Sequence, residues 1–274
     1  MGSRRGKDSP VELRGRPPRP PEPKLLFLDE DMLVVDKPAG YLSAPGRGDA
    51  PCVLDALRAM PELPDDAPLR IVHRLDRDAS GLLCVARTRQ GQRGLVGQFM
   101  DRVVEKAYHA IVLGVIPDAG QVNAPISWDD REGRSRIGGR RAKPSLTRYA
   151  PLEALFGHTL VECQPVTGRT HQIRVHMAHY GHPLAVDPDY GGASELRLSD
   201  LKTNYHASTR RPERPLISRL TLHAARLGLR HPISGEPQAF ESPWPKDFRA
   251  AVTQLRRLLG RDDAAAPNDV ILDQ

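Results

Sequence analysis

The stretch HRLDRDASGLL, residues 73–83, sets charged and apolar residues against each other at short range. Arg74, Asp76, Arg77 and Asp78 lie between two apolar runs, Ile71-Val72 and Leu82–Ala86. Charges this close to strand-like apolar runs are costly unless paired or solvated. The Asp-Ala-Ser-Gly turn favours a tight bend and would present Asp76 at the end of a buried strand. A carboxylate in that setting can act as nucleophile or general base. It can equally be half of a local ion pair, Asp76 with Arg74 or Asp78 with Arg77, and on this segment alone both readings stand.

Two further stretches carry groups that would complement a carboxylate. VTGRTHQIRVHMAHYGHPLAVDPDYGG, residues 166–192, turns at Gly168. Thr170 then fits the N-cap of a helix running to Gly181. Ile173, Met177 and Tyr180 share its inward face, and Arg174 falls beside that face, where a partly buried arginine requires a carboxylate or a phosphate. His171, His176, His179 and His182 invite a metal reading. They lack HExxH and a carboxylate or thiolate at ligand spacing, so no metal is expected. In Lys106-Ala107-Tyr108 the outer two residues share a strand face. That pair can hold a phosphate and stack a base, or be an exposed lysine beside a core tyrosine. Walker loops, GxGxxG and nucleophile elbows are absent from the sequence, so triphosphate, dinucleotide and serine-hydrolase chemistry have no support.

These groups need a scaffold, and the remaining pattern supplies one. LLFL and MLVVD, separated by Asp29-Glu30-Asp31, predict a strand pair ended by Lys37-Pro38-Ala39-Gly40. A short helix is expected from about Val53 to Met60, and another over 90–101 with Leu95, Val96, Phe99 and Met100 as its apolar stripe. EKAYHAIVLG reads as a strand ending at Gly114, with further strands at 159–165 and 220–230. Residues 129–148 place six Arg and one Lys on a Gly-interrupted basic loop or ribbon. KDFRAAVTQLRRLLG reads as an amphipathic helix with Phe248, Val252, Leu255 and Leu259 on one face and Gly260 as its cap.

At 274 residues, 39% hydrophobic and 27% charged, the chain can bury a sizeable core. Its apolar runs are too short to cross a bilayer, and its N-terminus lacks a secretory apolar segment. Cys52, Cys84 and Cys163 have no CxxC spacing and read as reduced thiols of a cytoplasmic protein. Residues 1–24 hold seven Lys/Arg against three Asp/Glu, and residues 261–274 one Arg against four Asp. Of the net +6, about +5 therefore belongs to the body between, which suits a polyanionic partner such as nucleic acid. The Pro- and Arg-rich residues 1–24 read as a disordered basic arm, 25–260 as one catalytic unit, and 261–274 as a flexible tail.

Taken together and in order, the segments resemble the RluA-type family of RNA pseudouridine synthases. HRLDRDASGLL is similar to that family's catalytic motif, LVVDKPAGYLSAPGRG to the segment before it, and EKAYHAIVLG to its K-x-Y strand. GRTHQIRVHMAHYGHPLAVDPDYG resembles its arginine motif, and RLTLHAARLGLRHPISGEPQAFESPWPKDF its closing segment. The resemblance implies an α+β fold, with a mixed, mostly antiparallel central sheet flanked by helices and an active-site cleft. It implies Asp76 as the essential aspartate, Tyr108 stacking on the uracil, Arg174 paired with Asp76, Arg74 filling the gap left by a flipped base, and Ile173 packing on the uracil. His73, Lys106, Arg169, His171 and Gln172 are expected to line the substrate site, with Arg140, Arg141 and Lys143 gripping RNA from the basic segment. Isomerisation of uridine needs no cofactor. The expected partner is ribosomal or transfer RNA bound by a monomer with no membrane attachment, and the target nucleotide must be extruded from its stack. Two residues depart from the family pattern: Ala79 stands where Thr is usual, and Val186 where Gly is usual. The 24 residues before the first strand are too few for the S4-type RNA-binding domain that many relatives carry.

Overall fold

The computed structural model describes residues 20–46, 50–64, 68–202, 205 and 212–260. The expected C-terminal tail and all but the last five residues of the basic arm lie outside the described residues.

The first hairpin forms as its pattern predicts, with β1 (Lys24–Leu28) antiparallel to β2 (Met32–Lys37). Helix α1 (Val53–Arg58) follows, then a two-residue strand β3 (Arg70–Ile71), the loop that carries Asp76, and β4 (Ser80–Ala86). Helix α2 (Arg89–Met100) starts at Thr88, whose hydroxyl accepts from the Gly91 amide, and leads into the long β5 (Glu105–Leu113). Strands β6 (Gly120–Asn123), β7 (Ile126–Asp129), β8 (Arg134–Ile137), β9 (Leu146–Leu155) and β10 (His158–Pro165) come next. Helix α3 (Gln172–His179), a single turn α4 (Leu198–Leu201), strands β11 (Leu222–Arg230) and β12 (Pro237–Glu241), and helix α5 (Lys246–Leu259) complete the described chain.

One sheet in the order β1-β2-β4-β11-β5-β10-β9-β6, with β12 on β11 and β3 on β4, carries the core, and β7 and β8 form a separate ribbon. All pairings are antiparallel except β4 with β11. That parallel contact is close: Gly81 sits at φ +111°, and a Cβ there would lie 2.3 Å from the Ala224 carbonyl. Only glycine fits both the angle and the gap.

Strand alternation distributes the core over both faces. Leu33, Val35, Leu83 and Val85 pack under α1, while Val34, Leu82 and Cys84 pack with Leu95 of α2. Ala110, Val112, Val161 and Cys163 meet Ile173 and Met177 of α3, whereas Ile111 and Leu160 meet Phe248, Val252 and Leu255 of α5.

Several local expectations need correction. Thr170 is not the N-cap of α3; His171 holds that place in the left-handed region at φ 52°, with no side-chain cap bond. Tyr180 is 41% exposed and Met100 75%, so neither belongs to the inward stripe of its helix. On α5 the buried stripe is Phe248, Ala251, Val252, Leu255 and Leu258; Leu259, one residue on, has turned away to solvent.

Candidate active site

Asp76 projects from a loop whose backbone is gripped on both sides of it. The Ser43 hydroxyl donates to the Leu75 carbonyl (2.8 Å) and accepts from the Leu75 amide (2.9 Å). Beyond Asp76, the fully buried Lys37 reaches across from the end of β2. Its Nζ donates to the carbonyls of Ala79 (2.8 Å), Arg77 (3.0 Å), Pro38 and Tyr41 (both 3.1 Å). Burial pushes the Lys37 ammonium down to about 7, against the attraction of Asp78 and Asp76. At the start of β4 the Ser80 hydroxyl lies 2.9 Å from His223 Nδ1 and accepts from Arg219 Nη1 at 3.2 Å. The Ser242 carbonyl can only accept, so His223 Nε2–H donates to it at 3.0 Å, and in the neutral ring Nδ1 is left to accept from the Ser80 hydroxyl. Burial holds the His223 imidazole below its ordinary value, which suits this neutral form.

Asp76, His73 and Arg74 from this loop meet Lys106 and Tyr108 of β5, residues 165–171 after β10, the first turn of α3 and the last turns of α2 around a cavity of about 520 Å³. That volume lies in the range of small-ligand sites. Asp76 is the one carboxylate among the lining residues, against Arg74, Arg102, Lys106, Arg169 and Arg174. Tyr108, Ile173 and Leu222 supply apolar wall. Burial, with the Asp76 charge second, raises the Tyr108 hydroxyl well above its usual value, so the ring is neutral and protonated.

Arg174 is 5% exposed, and its main partner is not Asp76. Nε and Nη2 make a two-pronged contact with the fully buried Asp187 at 2.7 Å each, and Nη2 also reaches Asp189 at 2.7 Å. Asp76 receives only Nη1, at 3.5 Å. One guanidinium thus serves three carboxylates, and Asp187 orients it so that Nη1 faces Asp76. The Tyr190 ring lies against the guanidinium, 4.9 Å from its carbon. Tyr190 Oη donates to the Ser135 carbonyl and accepts from the Ser135 amide. Its remaining lone pair faces His171 Nδ1 at 3.0 Å, so Nδ1 carries the imidazole proton and Nε2 is left as an acceptor.

Several expected site residues have their polar groups already in use. Gln172 accepts from the Thr167 hydroxyl and the Arg169 amide, and donates to the Leu146 carbonyl and the Thr147 hydroxyl. All four of its bonding positions are filled, so its amide holds the 167–169 turn and has no capacity left for a ligand. His73 Nε2 accepts from the Cys84 amide at 2.9 Å while its ring stacks on Phe99 at 4.5 Å. Burial, with Lys106 second, pushes His73 down to about 3, so it is a neutral wall at neutral pH. Asp78 pairs with Arg77 and lies outside the cavity lining.

Arg140, Arg141 and Lys143 are exposed and do not line the cavity; they sit on the segment that returns from β8 to β9. This ribbon borders the site through Ser135, whose hydroxyl donates to the Thr170 carbonyl, and through Trp128, packed edge-on to His171. His176 is bonded to Thr147 and to the Ala124 carbonyl, and His182 to the Leu113 carbonyl, so these histidines serve packing.

Sequence reasoning missed Lys37, Ser43, Asp187, Asp189, Tyr190 and Arg102. A lysine ending the apolar run MLVVD was a readable sign of a buried ammonium, and VDPDY offered two carboxylates soon after a buried arginine.

The family model described as RNA pseudouridylate synthase matches residues 31–179. The ribosomal large subunit pseudouridine synthase D of Nitrosomonas europaea is 40% identical over 237 residues, which make up 86% of this chain and 66% of that protein. The protein of the same name from Xanthomonas campestris is 39% identical over 234 residues, 85% of this chain and 69% of that one. The chain thus spans about two thirds of the length of these relatives. Among solved structures, human RNA pseudouridylate synthase domain containing 4 superposes with a TM-score of 0.66 at 28% identity, over 85% of this chain and 93% of that one. With the motifs, the sheet and the cavity in agreement with these likenesses, the chain belongs to the RNA pseudouridylate synthase family.

Proposed function

We propose that residues 25–260 form a catalytic domain that isomerises uridine to pseudouridine in structured RNA, with large-subunit ribosomal RNA the first substrate to test and transfer RNA the second. The observation that carries this reading is the single carboxylate, Asp76, set in a cationic cavity of nucleotide size opposite a neutral Tyr108 and next to a guanidinium that Asp187 already holds in place. The reaction breaks N1–C1′, turns the uracil and rejoins it through C5, whose hydrogen leaves as a proton while the freed N1 takes one up. Asp76 is the group placed to act on the ribose and base. Tyr108 stacks on the uracil, Ile173 packs against it, and Arg174 steadies the Asp76 charge.

The target base must leave its stack, at a cost of a few kcal/mol. Arg74, Arg102 and Arg169, which line the cavity, offset this by meeting phosphates. A base-excising hydrolase would call for a second carboxylate to activate water, and Asp78 is bound to Arg77 instead. The three cysteines are free and buried, in keeping with a cytoplasmic enzyme.

The test is tritium release from RNA labelled at uridine C5, with ribosomal and transfer RNA assayed separately for the wild type and Asp76→Asn. Release by the wild type alone is expected. Release by both would remove Asp76 from the mechanism, and free uracil in place of pseudouridine would reassign the chain as a hydrolase. RNA binding without release by either would leave a non-catalytic RNA-binding protein of the same fold.

A further inference from the structure

Helix α2 contributes to the cavity only through its C-terminal half, by Val96, Phe99 and Met100. At helical spacing the same face continues backward through Gln92-Arg93 to Arg89. The buried side of the helix, at Gly91 and Leu95, adjoins this face. Arg89, Gln92 and Arg93 do not project into empty solvent but share a second, open cleft with Arg70. The facing wall follows the same order: Arg70 stands opposite the first turns of α2, and Val72 to Asp76 opposite the last. The two depressions therefore lie in succession between segment 70–76 and α2, with no lining residue in common.

The arginine cleft is lined by positive charge alone, and Asp76 is the one carboxylate lining the cavity. Arg70, Arg89 and Arg93 have no carboxylate within ion-pair distance among the described residues, although Asp29 and Asp31 lie at the same end of the helix. Those two acids are occupied, Asp29 by His231 and Asp31 by the Thr88 hydroxyl. Seven residues of α2 separate the middle of the arginine cleft from the middle of the cavity wall. At ~1.5 Å per residue this is about 10 Å, or roughly three stacked nucleotides at ~3.4 Å each.

We infer that Arg70, Arg89 and Arg93 form a phosphate-binding station for the RNA strand, about three nucleotides from the base held over Asp76. This inference rests on RNA being the substrate. It adds a reach requirement: an RNA cut off next to the target uridine cannot use the station, whereas one with intact flanks can. Guanidinium forks suit this task because they meet phosphate oxygens two at a time.

The experiment measures RNA affinity against potassium chloride concentration, and tritium release, for the intact chain on a large-subunit ribosomal RNA transcript. It compares the wild type, Arg89→Gln/Arg93→Gln, and a control of equal charge change on the exposed side of α5, Arg249→Gln/Arg257→Gln. The cleft variant should reduce the salt slope by about 1.4 to 1.8, since each phosphate contact contributes ~0.7–0.9. It should also raise KM several-fold, and this penalty should shrink on a hairpin trimmed to the nucleotides beside the target. An unchanged slope and KM, or an equal loss in the α5 control, would overturn the station. Wild-type binding with the expected slope shift but no tritium release would overturn the synthase reading and leave the station standing. Failure of the wild type to bind the transcript would overturn both.

Discussion

The Asp76 loop and the β7–β8 ribbon are both short, glycine-punctuated and charged, and both are tied to distant segments, the ribbon through Ser135, yet their charged side chains are held differently. The loop is fastened by buried groups from three distant segments, Ser43, Lys37 and the Ser80–His223–Arg219 chain. The ribbon's ion pairs are local and exposed, Arg134 with Glu132 and Arg136 with Asp129, and Arg140, Arg141 and Lys143 face solvent. Pairs of this kind are screened and hold little in place. A reacting carboxylate must be positioned before substrate arrives, whereas cations that meet a polyanion can adapt on contact. Chemistry is thus placed where the fold over-determines position, and recognition where side chains keep their freedom.

The sharpest way to break this comparison is to remove the support of Arg174 and the reacting carboxylate in turn. Asp187→Asn leaves a buried guanidinium short of its main partner and should cost about 3–5 kcal/mol. Asp76→Asn, at 3.5 Å and 22% exposed, should move Tm far less while abolishing tritium release. Thermal unfolding of both variants checks this, and the reverse order of Tm would mean that Asp76 is the anchor of Arg174.

Lys37→Met strips donors from the carbonyls of Arg77 and Ala79 and should lower stability by about 1–3 kcal/mol. Single-turnover tritium release should slow at saturating RNA, because Asp76 is no longer steadied. Stability loss with an unaltered rate would show that the lysine supports the fold alone.

His73 provides a pH test of the loop. Its proton equilibrium lies at about 3 in the folded chain, against 6.5 ordinarily, so the unfolded chain binds more protons between these values. The stability linked to neutral His73 is therefore fully present above pH 6.5 and is lost as pH falls toward 3. His73→Gln should flatten the fall of Tm across that window; a parallel curve would place the acid sensitivity at carboxylates or other histidines. The smallest structural effect belongs to the ribbon. Replacing Arg140, Arg141 and Lys143 with Ala should leave Tm in place and lower the salt slope of RNA binding by at most about 2 to 3.

Much of this could be read in advance. The apolar runs LLFL and MLVVD and the alternation in EKAYHAIVL located β1, β2 and β5, and the motif around Asp76 pointed to the reacting loop. Helix ends were less legible: Leu259 and Tyr180 continue an apolar period past the point where the core ends. Arg174 was recognisable as a buried cation in need of an anion, but its main partner was assigned to Asp76 when Asp187 and Asp189 hold it. A partner of opposite charge is easy to expect and hard to choose, because several carboxylates satisfy the same requirement until the chain is folded.

The sequence by itself determined the strands β1, β2, β4, β5, β10 and β11, though not β6, β9 or β12, the amphipathic faces of α2 and α5, and the presence of an aspartate, a tyrosine and an arginine in family motifs, because these follow from local period and residue type. Only the tertiary structure decided that Lys37 would hold the carbonyls on either side of Asp78, that Asp187 would orient Arg174, and that residues 72–76 would share a cavity with the last turns of α2. Those depend on contacts between residues far apart in the chain, which periodicity does not encode.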